Sequence, residues 1–127
     1  MRTWTAAAVL FGCATVAAAQ DAAPKAKTTW LVVYRPGPSW VAGKPLAEQP
    51  LKEHGRYMIE LYGKGTLKFA GPFLDDSGGA MVMEADTEAD AKALVAADPA
   101  VKGGVMLADL RPWRLVDWEP YLKKKTK

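Results

Sequence analysis

Hydrophobic and polar positions along the chain fall into segments with alternating periods. Thr29 to Arg35 (TWLVVYR) is a β-branched and aromatic run, the signature of a strand, and Pro36-Gly37-Pro38 stops it. A loop through Trp40, Gly43 and Pro45 leads to Leu51–Tyr62. There apolar residues recur at helical spacing, Pro50 stands just before the start, and Gly63 and Gly65 follow the end. Thr66 to Ala70 sets Leu67 and Phe69 around Lys68, a half-exposed strand closed by Gly71-Pro72. Asp75 to Gly79 is a turn cluster, and Ala80 to Ala85 (AMVMEA) is the next strand. Thr87 with Asp90 three residues later opens a second helix with the stripe Ala91, Leu94 and Val95, ending at Asp98-Pro99. Gly103-Gly104 leads into a last strand, Val105 to Leu115, where Pro112 points to an edge or a bend.

The predicted order is β-α-β-β-α-β. With short connections and right-handed crossovers it gives a ferredoxin-like α+β fold, a four-stranded antiparallel sheet with two helices on one face. Trp30, Val32 and Tyr34 point one way from the first strand and Leu31 and Val33 the other, so both faces are apolar. Two helices cover only one of them. A second copy packed through the open sheet face is the simplest cover, which predicts a homodimer; a cofactor or a different partner ranks below it.

The first nineteen residues have a different character. Arg2 precedes an apolar stretch (Ala6 to Phe11, Ala14 to Val16), and Ala17-Ala18-Ala19 offers small residues before Gln20 and Asp21. This is the grammar of a secretory signal peptide, too short to span a bilayer, so the expected location is the periplasm or beyond. Leu10-Phe11-Gly12-Cys13 loosely resembles a lipobox, but Phe11 stands where small residues are preferred, so cleavage is placed after Ala19. The expected organisation is a signal peptide (1–19), a linker (20–28), one folded domain (29–118) and a basic tail (119–127), with no transmembrane segment after cleavage.

That division changes the reading of the composition. The 127 residues carry 17 Lys and Arg against 14 Asp and Glu, with one His and one Cys. The only thiol, Cys13, leaves with the signal peptide, so thiol nucleophiles and redox motifs are ruled out of the mature chain. One His excludes multi-histidine metal sites. Between Thr28 and Pro120 there are 10 basic and 13 acidic residues, so the positive charge belongs to the linker and to Lys123–Lys125 and Lys127. A nucleic-acid module would carry its charge on a face of the fold, so no nucleic-acid partner is expected.

Candidate chemistry centres on His54. Helical spacing aligns it with Met58 and Leu61, on or near the apolar side of the first helix, where an imidazole needs a hydrogen-bond partner. Gly55 beside it allows close approach of a ligand or of packed backbone. Asp98 is expected at the C-terminal end of the second helix, where the helix dipole disfavours a carboxylate, so another group must stabilise it. One reading is a turn residue. The other is a partner for His54, since the fold sets the helices side by side; a His–Asp pair orients the imidazole for proton abstraction. Both residues can equally be structural.

Ser39 and Ser77 lie in loops without a nucleophile motif. Asp75, Asp76, Glu84, Asp86 and Glu88 lack the spacing of a calcium loop, and no dinucleotide or phosphate-binding glycine pattern occurs, so neither metal nor cofactor is expected. Trp40, Trp113 and Tyr57 are candidates for an aromatic pocket, with core packing as the simpler reading.

The first strand, His54 and its helix, Gly65-Thr66-Leu67, Gly71-Pro72, Gly78-Gly79, Asp98-Pro99 and Arg111-Pro112-Trp113, in this order, resemble the YCII-related (YciI-like) family over roughly residues 29 to 116. The resemblance implies a protomer similar to those of dimeric α+β barrel proteins and a small-molecule cleft with a His–Asp pair, here His54 and Asp98. Among the relatives it implies is a dehydrochlorinase acting on chlorinated aromatic breakdown products; muconolactone isomerase shares the broader barrel. The expected function is therefore an exported small-molecule-binding protein with cofactor-free proton transfer of isomerase, lyase or dehydrochlorinase type. The alternative is a non-catalytic binding or structural dimer. Ala100 departs from the aromatic residue that many members place after Asp-Pro, and the signal peptide is unusual among the small members of the family.

Overall fold

The computed structural model describes residues 25–122. The expected signal peptide with Cys13, the first part of the linker and the tail lysines from Lys123 onward lie outside the described residues. Four strands, β1 (Thr28–Pro36), β2 (Leu67–Pro72), β3 (Gly79–Ala85) and β4 (Met106–Trp113), form one sheet in the order β2-β3-β1-β4, with every neighbouring pair antiparallel. Helix α1 (Lys52–Gly63) follows β1, and α2 (Glu88–Ala96) with the short α3 (Pro99–Lys102) follows β3. This is the ferredoxin-like α+β fold that the order of elements predicts. A 3-10 turn (Leu46–Glu48) and a terminal turn of helix, α4 (Glu119–Leu122), complete it.

Trp30, Val32 and Tyr34 on β1 are buried together with Met81 and Met83 on β3, Leu61 on α1, and Ala91 and Val95 on α2. Each large side chain buried this way stabilises the fold by about 1.5–3 kcal/mol. The α2 stripe sits as expected, and its start is capped as the pattern Thr87-x-x-Asp90 requires. The Thr87 hydroxyl accepts the Asp90 backbone N–H at 3.0 Å and donates to the Asp90 carboxylate at 2.7 Å.

Three boundaries differ from the sequence reading. Leu51 is the residue before α1 rather than its first turn. Gly71 and Pro72 extend β2 instead of closing it, pairing with Ala80 and Gly79. β2 is an edge strand, so the missing Pro72 N–H removes no ladder bond from a central position. β4 stops at Trp113, and its Pro112 also lies on an edge strand, opposite Trp30.

The other sheet face lacks helices. Leu31, Val33, Ala80 and Val82 line its middle and are partly exposed, while Phe69 is 73% exposed. Charged residues pair around them, Arg35 with Asp109 at 3.3 Å and Lys68 with Glu84 at 3.2 Å. No described helix is long and apolar enough to cross a membrane.

Candidate functional site

His54 enters the site from the first turn and a half of α1, on the helix face it shares with Leu51, Gly55 and Met58. Asp98 comes from the junction between α2 and α3. The sequence reading put its carboxylate at the end of α2 against the dipole; the structure corrects this. Ala97 caps α2, and Asp98 is the N-cap of α3, with Pro99 in the first turn, where a missing N–H costs nothing. The Asp98 carboxylate accepts the Ala100 backbone N–H at 2.9 Å, so the α3 dipole favours its charge.

The same carboxylate meets the imidazole. His54 Nδ1 lies 2.8 Å and 3.0 Å from the two Asp98 oxygens. The Asp98 side chain is fully buried and that of His54 is 18% exposed. A carboxylate in this position accepts from an Nδ1–H; in the neutral ring Nε2 then carries the lone pair, and among the described residues it has no hydrogen-bond partner. The Asp98 charge is held by three short contacts to two donors, the arrangement that a buried carboxylate needs.

Tyr34 completes this wall. Its ring stands edge-on to the imidazole, centroids 5.3 Å apart and planes at 78°, and its hydroxyl donates to the Met81 sulfur at 3.7 Å. Burial pushes the phenol far above its ordinary range, and the Asp98 charge pushes it further, so Tyr34 stays neutral. Tyr57, one turn beyond His54, donates to the Leu94 carbonyl at 2.8 Å and ties α1 to α2. Burial first, then Asp98 and Glu60, raise its pKa as well.

The imidazole lines a cavity of about 290 Å³ between α1 and the β2–β3–β1 end of the sheet. Met58, Met81, Met106 and Leu51 give it an apolar wall, and Ala70, Pro72 and Gly79 give it a floor almost without side chains. Among the described residues no lysine, arginine or carboxylate lines it. Gly78, at the rim, has φ 136°, and a side chain there would collide with the Tyr34 carbonyl, so only glycine lets β3 start this close to β1.

The other sequence candidates lie elsewhere. Trp40 packs against the core, Trp113 is 43% exposed and neither lines the cavity. Asp75 accepts the Ser77 backbone N–H and hydroxyl, which lowers its pKa, and Glu84 and Glu88 pair with Lys68 and Lys92. Among the described residues no group of three or more His, Cys, Asp or Glu side chains gathers at one point.

Two residues of the site escaped the sequence reading. Tyr34 read only as strand core, although its alternation with Trp30 and Val32 puts it on the helix face. Gln49 is buried at 7% exposure and bonds Val41 through both its N–H and its carbonyl, at 2.8 Å each, and the Lys44 carbonyl at 3.0 Å. It fixes the loop that brings Leu46 and Leu51 over the cavity.

The chain matches the YCII-related domain over residues 30–114, two thirds of its length. It belongs to the YCII family. Among its relatives is the Uncharacterized protein YjpA of Bacillus subtilis (strain 168), 37% identical over 62 residues, which are 49% of this chain and 73% of that protein. A similar solved structure is 5-chloro-2-hydroxyhydroquinone dehydrochlorinase from Burkholderia phenoliruptrix in complex with 2,5-dihydroxybenzoquinone. It has a TM-score of 0.50 and 21% identity, with 68% of this chain and 95% of that chain covered. That likeness concerns the fold alone, an α+β protomer. The expected YCII resemblance and the expected fold class both hold.

Proposed function

We propose that this YCII protein binds a small molecule in the His54 cavity and catalyses a cofactor-free proton transfer, with His54 as general base and acid and Asp98 as its orienting partner. The observation that carries this reading is the buried Nδ1–Asp98 pair at 2.8 Å, which leaves Nε2 on an apolar cavity without a partner among the described residues. In such a site Nε2 takes a proton from an acidic O–H or C–H of the ligand, and the Asp98 charge stabilises the imidazolium formed. In an isomerisation the proton returns to another atom of the same ligand. In an elimination the leaving group departs with its bonding pair and the imidazolium gives its proton to solvent. The dehydrochlorinase named for the similar fold makes elimination the first class to assay.

The protein acts as a homodimer through the open face of Leu31, Val33 and Val82, and it is exported, with cleavage after Ala19. The exposed apolar face supports the first statement and the sequence of residues 1–19 the second. Sedimentation of wild type against Val82→Glu tests the dimer, and the N-terminal mass of the exported protein tests the cleavage. A metabolite screen by NMR, read at the single imidazole, tests the site: a ligand that moves the His54 resonances supports the reading. A ligand that binds with those resonances unmoved contradicts it.

A further inference from the structure

We infer that the cavity takes one flat, uncharged, polarisable ring laid against Gly55 with an acidic hydrogen toward His54 Nε2, and that Gly55 sets which ligands enter. The inference rests on the cleft reading above and adds a ligand class and a specificity residue to it.

Gly55 lies inside α1, and its N–H makes an ordinary helical bond to the Leu51 carbonyl at 2.9 Å. Glycine is the poorest helix former after proline, so a helix interior keeps it at a loss of stability. Three reasons commonly account for such a glycine, and two fail here. Its φ is not in the left-handed region, since the positive-φ glycines are Gly43, Gly65, Gly78 and Gly104. A Cβ at Gly55 meets no atom within 4 Å, so packing within the protomer does not exclude a side chain. Gly79, on the cavity floor, is different: a Cβ there would come within 2.6 Å of the Gly71 carbonyl oxygen. What Gly55 supplies is open space on the cavity face of α1, between Leu51, His54 and Met58.

The surroundings of that space define what fits. A cavity of about 150 Å³ holds benzene. The volume here, about 290 Å³, therefore holds a substituted ring with room for its substituents. Floor residues Ala70 and Gly79 and the bare backbone at Gly55 form two opposed surfaces without protruding side chains, which favours a flat molecule. Three methionine side chains and Tyr34 line it as well, polarisable groups that pack well against an aromatic face. No lysine or arginine lines the cavity among the described residues, and the Asp98 charge stands behind His54. A carboxylate or phosphate ligand would be desolvated without a counter-charge.

The test is an NMR titration of the full mature chain with hydroquinone, with cyclohexane-1,4-diol as its non-planar counterpart and with benzoate as its charged one. Hydroquinone is expected to shift the His54 imidazole and the Gly55 amide, and the other two to bind at least about tenfold more weakly. Gly55→Ala is expected to raise Tm by roughly 3–6 °C while weakening hydroquinone several-fold. Gly55→Leu is expected to abolish its binding.

Equal binding of the diol or of benzoate overturns the ligand class. Unchanged hydroquinone affinity in both Gly55 variants, with the His54 shifts intact, overturns the role of Gly55 and leaves the cleft reading standing. A Gly55→Ala protein with a lowered Tm and altered sedimentation overturns it too, as the mark of a subunit contact. A His54 signal that none of the three probes moves overturns both.

Discussion

Two rows of residues on the helix-covered face of the sheet lie four positions apart along β1 and have opposite characters. In one, Trp30, Met83 and Leu67 stand side by side, 5%, 0% and 5% exposed. In the other, Tyr34 stands beside Gly79 and Pro72, and the space above them is a cavity. The strands and the pairing are the same, so the difference is one of side-chain volume. The first row fills its volume so fully that Trp30 is buried although its indole N–H has no partner among the described residues. The second leaves volume unfilled and places beside it the one buried carboxylate among the described residues, a histidine and a phenol. Dense packing stabilises a fold whatever its chemistry, whereas an unfilled volume beside a buried carboxylate costs stability and is retained where it serves another purpose.

The sharpest way to separate the two rows is to change each and read both stability and chemistry. His54→Gln keeps an N–H for Asp98 but removes the titrating nitrogen. It is expected to slow proton transfer about 10²–10⁴-fold on a substrate found by the screen, and to change unfolding free energy by less than about 1 kcal/mol. Met83→Ala is expected to do the reverse. Urea denaturation should show a loss of about 2–5 kcal/mol, and hydroquinone affinity should stay as in wild type. If Met83→Ala weakened the probe as much as His54→Gln, the two rows would not be functionally distinct.

Asp98→Asn is the intermediate case. The amide oxygen can still accept the Ala100 N–H, so the cap persists, but the charge that orients His54 is gone. A loss of about 1–2 kcal/mol is expected in denaturant, together with a fall in turnover close to that of His54→Gln. A full loss of stability with turnover intact would make Asp98 a cap alone.

The smallest effect is a pH dependence. Tyr34 has its pKa raised in the folded state, by burial and by Asp98. The folded protein therefore holds the phenolic proton where the unfolded chain, with a pKa near 10, releases it. Its contribution to stability is complete below about pH 10 and is lost as pH rises beyond that value. Tyr34→Phe is expected to flatten this alkaline decline and to cost about 1 kcal/mol or less near neutrality through the lost bond to Met81. An alkaline limb identical to wild type would place the raised pKa elsewhere.

Much of the fold was legible because each element carries a local cause. The alternation in Thr29–Arg35, the Thr87–Asp90 cap and the glycines at the end of α1 and before β4 are properties of neighbouring residues. Pairing of His54 with Asp98 was legible as one of two readings, since it follows from two helices lying on one face. The details that were missed depend on contacts distant in sequence. Pro99 marks the end of one helix and also starts another, and the same letters serve both, so the cap role of Asp98 was misread as an adverse dipole. Gln49 looks like any loop glutamine until Val41 and Lys44 fold around it. The unfilled space beside Gly55 belongs to α1 and the sheet together, and no run of residues encodes it by itself.

One measurement bears most directly on the site, because the chain has a single histidine. The ¹⁵N NMR spectrum of the imidazole at neutral pH distinguishes a protonated ring nitrogen from a bare one. The geometry at Asp98 requires a pyrrole-type Nδ1 and, in the neutral ring, a pyridine-type Nε2 that shifts when hydroquinone is added. A neutral imidazole with its proton on Nε2, or an Nε2 signal indifferent to the ligand, would contradict the assignment of His54 as the base of this cavity.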